Sequence, residues 1–181
     1  AYLAALDIGT GWTGSADGSL KLGSNSQLNL GATAALANLM IGYNSTTWPD
    51  SGGNHVGVFD ASNASATVNL ALDQLGVGES NGQGAATGTL RWNQTEVIDA
   101  NAIYFGYGGG ATGNLDVAAG GRLSLGSSAD PIGRLAIGTG NGTAHLDFSV
   151  TDPFFTAYLA ALDIGTGWTG SADGSLKLGS N

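Results

Sequence analysis

The side chains with the widest chemical range are the two histidines, and the sequence places them in unrelated surroundings. His55 closes a long polar stretch, whereas His145 lies in a short alternating segment. Neither forms a convincing serine, histidine and aspartate arrangement or a metal-binding pair, and the chain has no cysteine to supply a thiolate. We therefore predict no catalytic residue, no metal site and no cofactor.

Paired carboxylates are the next chemistry to consider, because glycoside hydrolysis needs two carboxyl groups about 5–10 Å apart. Asp116 and Asp147 are the two acids that the strand pattern is expected to stack on one face. Arg91 and Lys177 occupy matching outward positions beside them. The pattern thus predicts a neutralised ladder with ion pairs Arg91–Asp116 and Asp147–Lys177, and we expect the chain not to be an enzyme.

Residues 43–55 form the longest segment without a strand pattern, so we predict that it leaves the scaffold as a loop. Loops on a rigid scaffold often carry binding residues. Trp48, Asp50 and His55 are therefore the candidate ligand-contacting residues, with a surface glycan as the expected ligand. The alternative interpretation is a solvent-exposed loop that only covers the edge of a strand.

Four Asn-x-Ser/Thr sequences could accept N-linked glycans if the source cell makes them. Each would have to lie on a turn to be modified. The acceptor residues are Asn44, Asn63, Asn93 and Asn141.

The charge balance excludes two classes of partner. Fourteen acidic residues against five basic ones leave a formal net charge of -9, which repels nucleic acid and anionic membrane surfaces. No apolar run reaches the roughly 18 residues that a membrane span requires. We therefore expect no nucleic-acid partner and no membrane insertion within this segment.

The chain repeats itself. Residues 1–25 recur without a change as residues 157–181, an offset of 156 residues. Chance cannot produce such a match, so it reflects a tandem array or an engineered terminal duplication. We interpret residues 1–156 as one full repeat and residues 157–181 as the start of the next, continuous with the first.

A shorter repeat lies inside the long one and reads apolar-x-apolar-Gly. Its alternation predicts strands, and each unit contains two further apolar-x-apolar pairs separated by turn residues. We therefore predict an all-β fold, a parallel β-solenoid (β-helix) with about three short strands per coil and five coils per 156-residue repeat. An antiparallel β-sandwich is the alternative. The glycines that close the pattern are predicted to be structural turn residues: Gly9, Gly42, Gly78, Gly106, Gly138 and Gly165.

The pattern Leu-x-Ile-Gly-x-Gly, followed by Gly-x-Leu-x-Val and Leu-x-Leu-Gly, resembles the stalks of bacterial autotransporter passengers and filamentous-haemagglutinin-type adhesins. The resemblance covers the whole chain and implies an extracellular or cell-surface fibre or stalk with a structural and adhesive role. The expected partners are copies of the chain along a fibre axis and surface glycans. The alternative function is a carbohydrate-binding or polysaccharide-cleaving β-helix protein.

Overall fold

The computed structural model describes residues 2–11, 14–45, 53–81, 84–167 and 170–180. Within these ranges the chain forms strands and no helix. The strands are β1 (Ala5–Gly11), β2 (Ala16–Lys21), β3 (Gln27–Leu30), β4 (Ala37–Asn44), β5 (His55–Ala61), β6 (Thr67–Ser80), β7 (Ala86–Trp92), β8 (Val97–Tyr107), β9 (Ala111–Val117), β10 (Arg122–Leu125), β11 (Arg134–Thr139), β12 (Thr143–Asp147), β13 (Phe154–Ala157), β14 (Leu162–Ile164) and β15 (Asp173–Lys177).

The strands form two parallel sheets in a layered arrangement. The larger sheet has nine strands and contains the run β1-β4-β6-β8-β11-β14. In addition, β3 pairs with the first half of β6, β10 pairs with the start of β8, and β13 pairs with β10. The smaller sheet has six strands in the order β2-β5-β7-β9-β12-β15. Each sheet therefore advances by five strand spacings between the two copies of the repeated segment.

The core lies between the sheets and is built from aligned rows of aliphatic and aromatic side chains. In the larger sheet, Leu39 pairs with Leu75 and Leu75 pairs with Ile103, and all three are fully buried. In the smaller sheet, Phe59 and Leu90 form the matching row. Successive side chains on a strand point to opposite faces, so the period-2 pattern of the sequence leaves polar residues on the outside.

A line of glycines marks where the two sheets approach most closely. The six glycines that close the apolar-x-apolar-Gly pattern have φ values between +57° and +66°, a region that a residue with a Cβ adopts at a cost. A Cβ on Gly78 would overlap the Thr112 carbonyl oxygen of the opposite sheet. On the smaller sheet, a Cβ on Gly88 would overlap the Gly78 nitrogen. The glycines thus allow backbone to meet backbone where side chains would hold the layers apart.

The predicted solenoid of three short strands per coil is wrong, because the strands assemble into two layered sheets of nine and six. The error arose between Leu70 and Leu75, where a turn was expected. The intervening residues include no glycine or proline, so the chain continues as the single long strand β6. The same happens in β8, which joins the Val97–Ile98 pair to Ile103.

The antiparallel sandwich is also excluded for the strands that the structure describes. Every pairing between two of these strands is parallel. Parallel neighbours need a crossover connection, which explains why consecutive strands of the smaller sheet are always separated in the chain by one or two strands of the larger sheet.

Candidate functional site

A polar groove on the outer face of the larger sheet is the strongest candidate site. It encloses about 330 Å³ and spans β1, β4 and the end of β6. Its lining residues are Ala5, Asp7, Asn38, Met40, Tyr43, Gln74, Glu79 and Asn81. We call it the Glu79 groove.

Two glycines explain why Glu79 lies on this outer face. Leu75 and Val77 are buried, so strict alternation would place residue 79 inside with them. Gly78 breaks the alternation with a φ of +64°, and Glu79 emerges on the outer face. A Cβ on Gly76 would lie only 2.6 Å from the Glu79 carboxylate and 2.7 Å from the Met40 methyl carbon. The absence of a side chain at Gly76 therefore leaves room for the Glu79 carboxylate.

Hydrogen bonds fix the polar groups of the Glu79 groove. Gln74 Nε2 donates to Glu79 Oε2 over 2.6 Å, and Asn81 Nδ2 donates to the Tyr43 hydroxyl oxygen over 2.6 Å. Glu79 is 6% exposed, and its burial raises the pKa of the carboxyl group to about 7 against the opposing effect of the Gln74 hydrogen bond. Burial, and then the charge of Glu79, raises the pKa of Tyr43.

The groove can therefore present both forms of one carboxyl group near neutral pH. The protonated form of Glu79 donates a hydrogen bond and the ionised form accepts one, while Asp7 and Asn81 add exposed polar groups. An open polar groove of this kind suits a polyhydroxyl ligand, which needs both donors and acceptors.

Replacing Glu79 by glutamine should change the pH dependence of stability. The folded-state pKa of Glu79 lies above its ordinary value of 4.5, so its contribution to stability is full below pH 4.5 and is lost as the pH rises through 7. Glutamine has no charge to bury and can keep the hydrogen bond from Gln74. At pH 8 we expect Glu79→Gln to be more stable than the wild type by about 1–3 kcal/mol, and at pH 4 we expect no difference.

Urea unfolding at both pH values measures this effect. Asp17→Asn is the control, since it removes one negative charge from an exposed position on the smaller sheet and should not reproduce the pH dependence. Equal stabilisation by Glu79→Gln at pH 4 and pH 8 would contradict the assignment of a buried carboxyl group.

An aromatic cluster continues the outer face beyond the groove. The rings of Tyr104 and Tyr107 have centroids 4.9 Å apart, and the Arg134 guanidinium lies 5.9 Å from the Tyr104 centroid. Arg134 Nε also contacts Asp163 Oδ2 at 2.6 Å. The cluster therefore ends on a residue of the second copy of the repeated segment.

The outer face of the smaller sheet carries the charge ladder that the sequence predicted. Arg91 Nε lies 3.4 Å from Asp116 Oδ2, and Lys177 Nζ lies 3.3 Å from Asp147 Oδ2, so both predicted ion pairs are confirmed. Asp60 extends the ladder: its Oδ2 lies 3.5 Å from Lys21 Nζ and 4.0 Å from an Arg91 nitrogen. A hydrogen bond from the Ser62 hydroxyl is the main cause of a lowered pKa at Asp60.

The described structure covers only one of the three predicted ligand-contacting residues. Trp48 and Asp50 lie outside the described residues. His55 begins β5, is 1% exposed, and has no hydrogen-bond partner at either ring nitrogen among the described residues. Burial lowers the pKa of His55, which favours the neutral form of the ring.

The four glycan acceptors differ in accessibility. Asn44 is fully buried at the end of β4, so its amide is closed to modification in the folded chain. Asn63, Asn93 and Asn141 are half-buried and lie outside the strands. Each of these three makes a hydrogen bond to another segment, for example Asn141 Oδ1 with the Gly170 amide at 3.0 Å.

Sequence reasoning missed the Glu79 groove because the strand pattern does not distinguish Glu79 from the other acidic residues. The available signal was the pair Gly76 and Gly78, since a missing side chain next to a positive-φ residue leaves space for a neighbouring polar group. The sequence shows that a glycine precedes Glu79, but it does not show the positive φ that turns Glu79 to the outer face.

Within the described ranges, no group of three or more histidine, cysteine, aspartate or glutamate side chains is arranged to hold a metal ion. The same part of the chain contains no helix long and apolar enough to cross a membrane. Comparisons with protein-family models, curated proteins and solved structures found no significant match to this chain.

Proposed function

We propose that the chain is a segment of a structural fibre or stalk, in which the 156-residue repeat follows itself and the two parallel sheets continue from one repeat to the next. One observation carries this proposal. The first copy of the repeated segment pairs through one edge with the strands that follow it in the sheets, and the second copy pairs through its other edge with the strands that precede it. In the first copy, Leu6 pairs with Leu39 of β4. In the second copy, the equivalent Leu162 pairs with Leu135 of β11.

The smaller sheet supports the same proposal. Leu20 of the first copy pairs with Phe59 of β5, whereas its equivalent Leu176 pairs with Leu146 of β12. A copy in the middle of an array would therefore have a native neighbour on each edge in both layers. Strand edges without partners favour aggregation, and continuous repetition removes them from all but the ends.

The charges also fit a continuous array. Lys21 contacts Asp60, and its equivalent Lys177 contacts Asp147. An internal copy would place this lysine between two aspartates. The Lys177–Asp147 pair is exposed and is worth at most about 1 kcal/mol, so it sets the register more than the stability.

The test is the length of chains with increasing numbers of repeats. Five strand spacings of about 4.8 Å give a rise of roughly 24 Å per repeat. Chains of one, two and four repeats, measured by small-angle scattering and electron microscopy, should lengthen by about 24 Å per repeat at constant width. Particles that grow in all directions would contradict a fibre. Labelling of intact source cells with an antibody against this segment tests the extracellular, cell-surface location that completes the proposal.

A second candidate function is glycan binding, and the Glu79 groove is the observation that favours it. The groove combines Tyr43 with amide and carboxyl groups, which are the types of group that bind sugar hydroxyls. We expect Asn81→Ala to weaken glycan binding on an array at least tenfold, because it removes the donor to the Tyr43 hydroxyl. Ser19→Ala, on the outer face of the smaller sheet, is the control. Absence of binding by the unmodified chain would exclude this candidate.

A further inference from the structure

The Glu79 groove carries negative charge that its own lining does not balance. Two of its eight lining residues, Asp7 and Glu79, have carboxyl groups, and no lysine, arginine or histidine is among the described residues that line it. The whole chain has the same bias, with a formal net charge of -9. A positive charge on a ligand would therefore favour its binding in this groove.

Glu79 is the carboxyl group in the groove that most lacks a partner. Its side chain is 6% exposed, and Gln74 Nε2 donates to one of its oxygens, Oε2, over 2.6 Å. No donor among the described residues reaches the other oxygen, Oε1. A buried carboxylate is stabilised when a cation donates hydrogen bonds to it, and the described residues place no cation beside Glu79.

The groups around Glu79 fit a donor on a short carbon framework. Tyr43 pairs with Glu79, and burial, then the charge of Glu79 and more weakly that of Asp7, raises the pKa of the Tyr43 hydroxyl group. The two carboxyl groups and the Tyr43 hydroxyl therefore share one space. The methyl group of Met40, a residue that is 8% exposed, lies beside the Glu79 carboxylate and gives this space an apolar floor.

The position of Glu79 does not depend on either end of the chain. Glu79 lies on β6, and its neighbours in the sheet, β4 and β8, are both present. Asp7 is different, because its equivalent Asp163 contacts Arg134 at 2.6 Å, and an internal copy of Asp7 would have the same cation beside it. Glu79 is therefore the carboxyl group that stays without a cation in a continuous array.

We propose that the Glu79 groove binds the protonated primary amine of an amino sugar, with the Glu79 carboxylate as the charge partner of that amine. An ammonium group donates three hydrogen bonds and accepts none, which suits the free Glu79 oxygen and brings the missing charge. The sugar hydroxyl groups would meet the amide groups of the groove. This inference rests on glycan binding, the second candidate function, and names its ligand class.

Two matched ligands test the proposal by calorimetric titration at pH 7. One is a tetramer of β-1,4-linked glucosamine, and the other is the same tetramer with every amine acetylated. The free-amine tetramer should bind at least tenfold more tightly. Equal affinities would overturn the ammonium site and leave glycan binding standing. Absence of binding by both tetramers would overturn the two together.

A pair of variants shows whether the effect is local to the groove. Glu79→Gln keeps an acceptor for Gln74 but loses the charge, and it should weaken binding of the free-amine tetramer at least tenfold. Asp17→Asn removes one exposed charge from the smaller sheet and should weaken binding less than twofold. Equal losses in the two variants would mean that the amine responds only to net charge, and the proposal would be overturned.

Spermidine separates the amine from the sugar. Its amines stay protonated between pH 5.5 and pH 8, so a change in its binding over this range reports on the protein. Spermidine should bind at least tenfold more weakly than the free-amine tetramer at pH 7, and tighter binding would overturn the sugar as the source of the amine. Its affinity should fall at least tenfold from pH 8 to pH 5.5, because protonation of Glu79 removes the charge, and Glu79→Gln should abolish this dependence. A pH dependence that persists in Glu79→Gln would overturn Glu79 as the partner.

Discussion

Replacement of Gly78 by alanine is expected to destabilise the protein by about 3–5 kcal/mol. Two effects add: the residue has a φ of +64°, which costs an L-residue about 1–2 kcal/mol, and its new Cβ would overlap the Thr112 carbonyl oxygen of the opposite sheet. Neither backbone can move away, since each is hydrogen-bonded to strands on both sides. Urea unfolding followed by circular dichroism measures the loss.

Gly120→Ala is the matched control for that experiment. Gly120 has a φ of +63°, nearly the same as Gly78, but a Cβ there would meet no atom within 4 Å. Gly120→Ala should therefore lower the free energy of unfolding only by the cost of a positive φ, about 1–2 kcal/mol. If the two substitutions lowered the free energy of unfolding equally, the close contact between the two sheets at Gly78 would make no contribution to stability.

Replacement of Leu90 by alanine should cost about 2–5 kcal/mol. Leu90 is 1% exposed on the inner face of β7 and pairs with Phe59 on one side and Leu115 on the other. Truncation removes buried methyl groups and leaves a cavity that aligned strands in a rigid sheet cannot close. The midpoint of urea unfolding should fall accordingly.

The next residue in the chain provides the comparison. Arg91 points outward and forms an exposed ion pair with Asp116, and the buried carboxylate of Asp60 keeps Lys21 as a partner, so Arg91→Ala should cost about 1 kcal/mol. If Arg91→Ala were the more damaging change, the assignment of inner and outer faces in the smaller sheet would be wrong.

Local patterns in the sequence were sufficient to predict which segments are extended, which residues form the inner rows and part of the charge ladder. Alternation identified Leu39, Leu75 and Ile103 as equivalent positions, and the structure pairs them in one row. The same alternation predicted the ion pair between Arg91 and Asp116, because outward positions on paired strands are fixed once the inward ones are known.

The layered arrangement could not be predicted in the same way, because it depends on where strands end. An apolar-x-apolar pair does not show whether the chain turns afterwards or continues, and in β6 it continues from Thr67 to Ser80. Without that information, two pairs in one long strand were interpreted as two separate strands. Burial of His55 was equally hidden, since a polar residue beside a long polar stretch gives no sign that it begins a buried strand.

The Glu79 groove illustrates a third kind of limit. Its position depends on a single positive φ at Gly78, which changes the face of every residue that follows in the strand. Side chains in a β-strand alternate between two faces, so a shift by one residue moves each later side chain from the inner face to the outer face, or the reverse. The glycine itself was visible in the sequence, but its φ value was not.

In a continuous array, each internal copy of the 25-residue segment should pair on both edges, with the repeat before it and the repeat after it. Amide hydrogen exchange on a chain of two full repeats followed by the 25-residue segment tests this most directly. We expect the amides of Leu162 to Ile164, which are internal in this longer chain, to become as protected as those of β6 and β8. Exchange at these amides as fast as in the present chain would show that the sheets stop at each repeat, and the fibre proposal would fail.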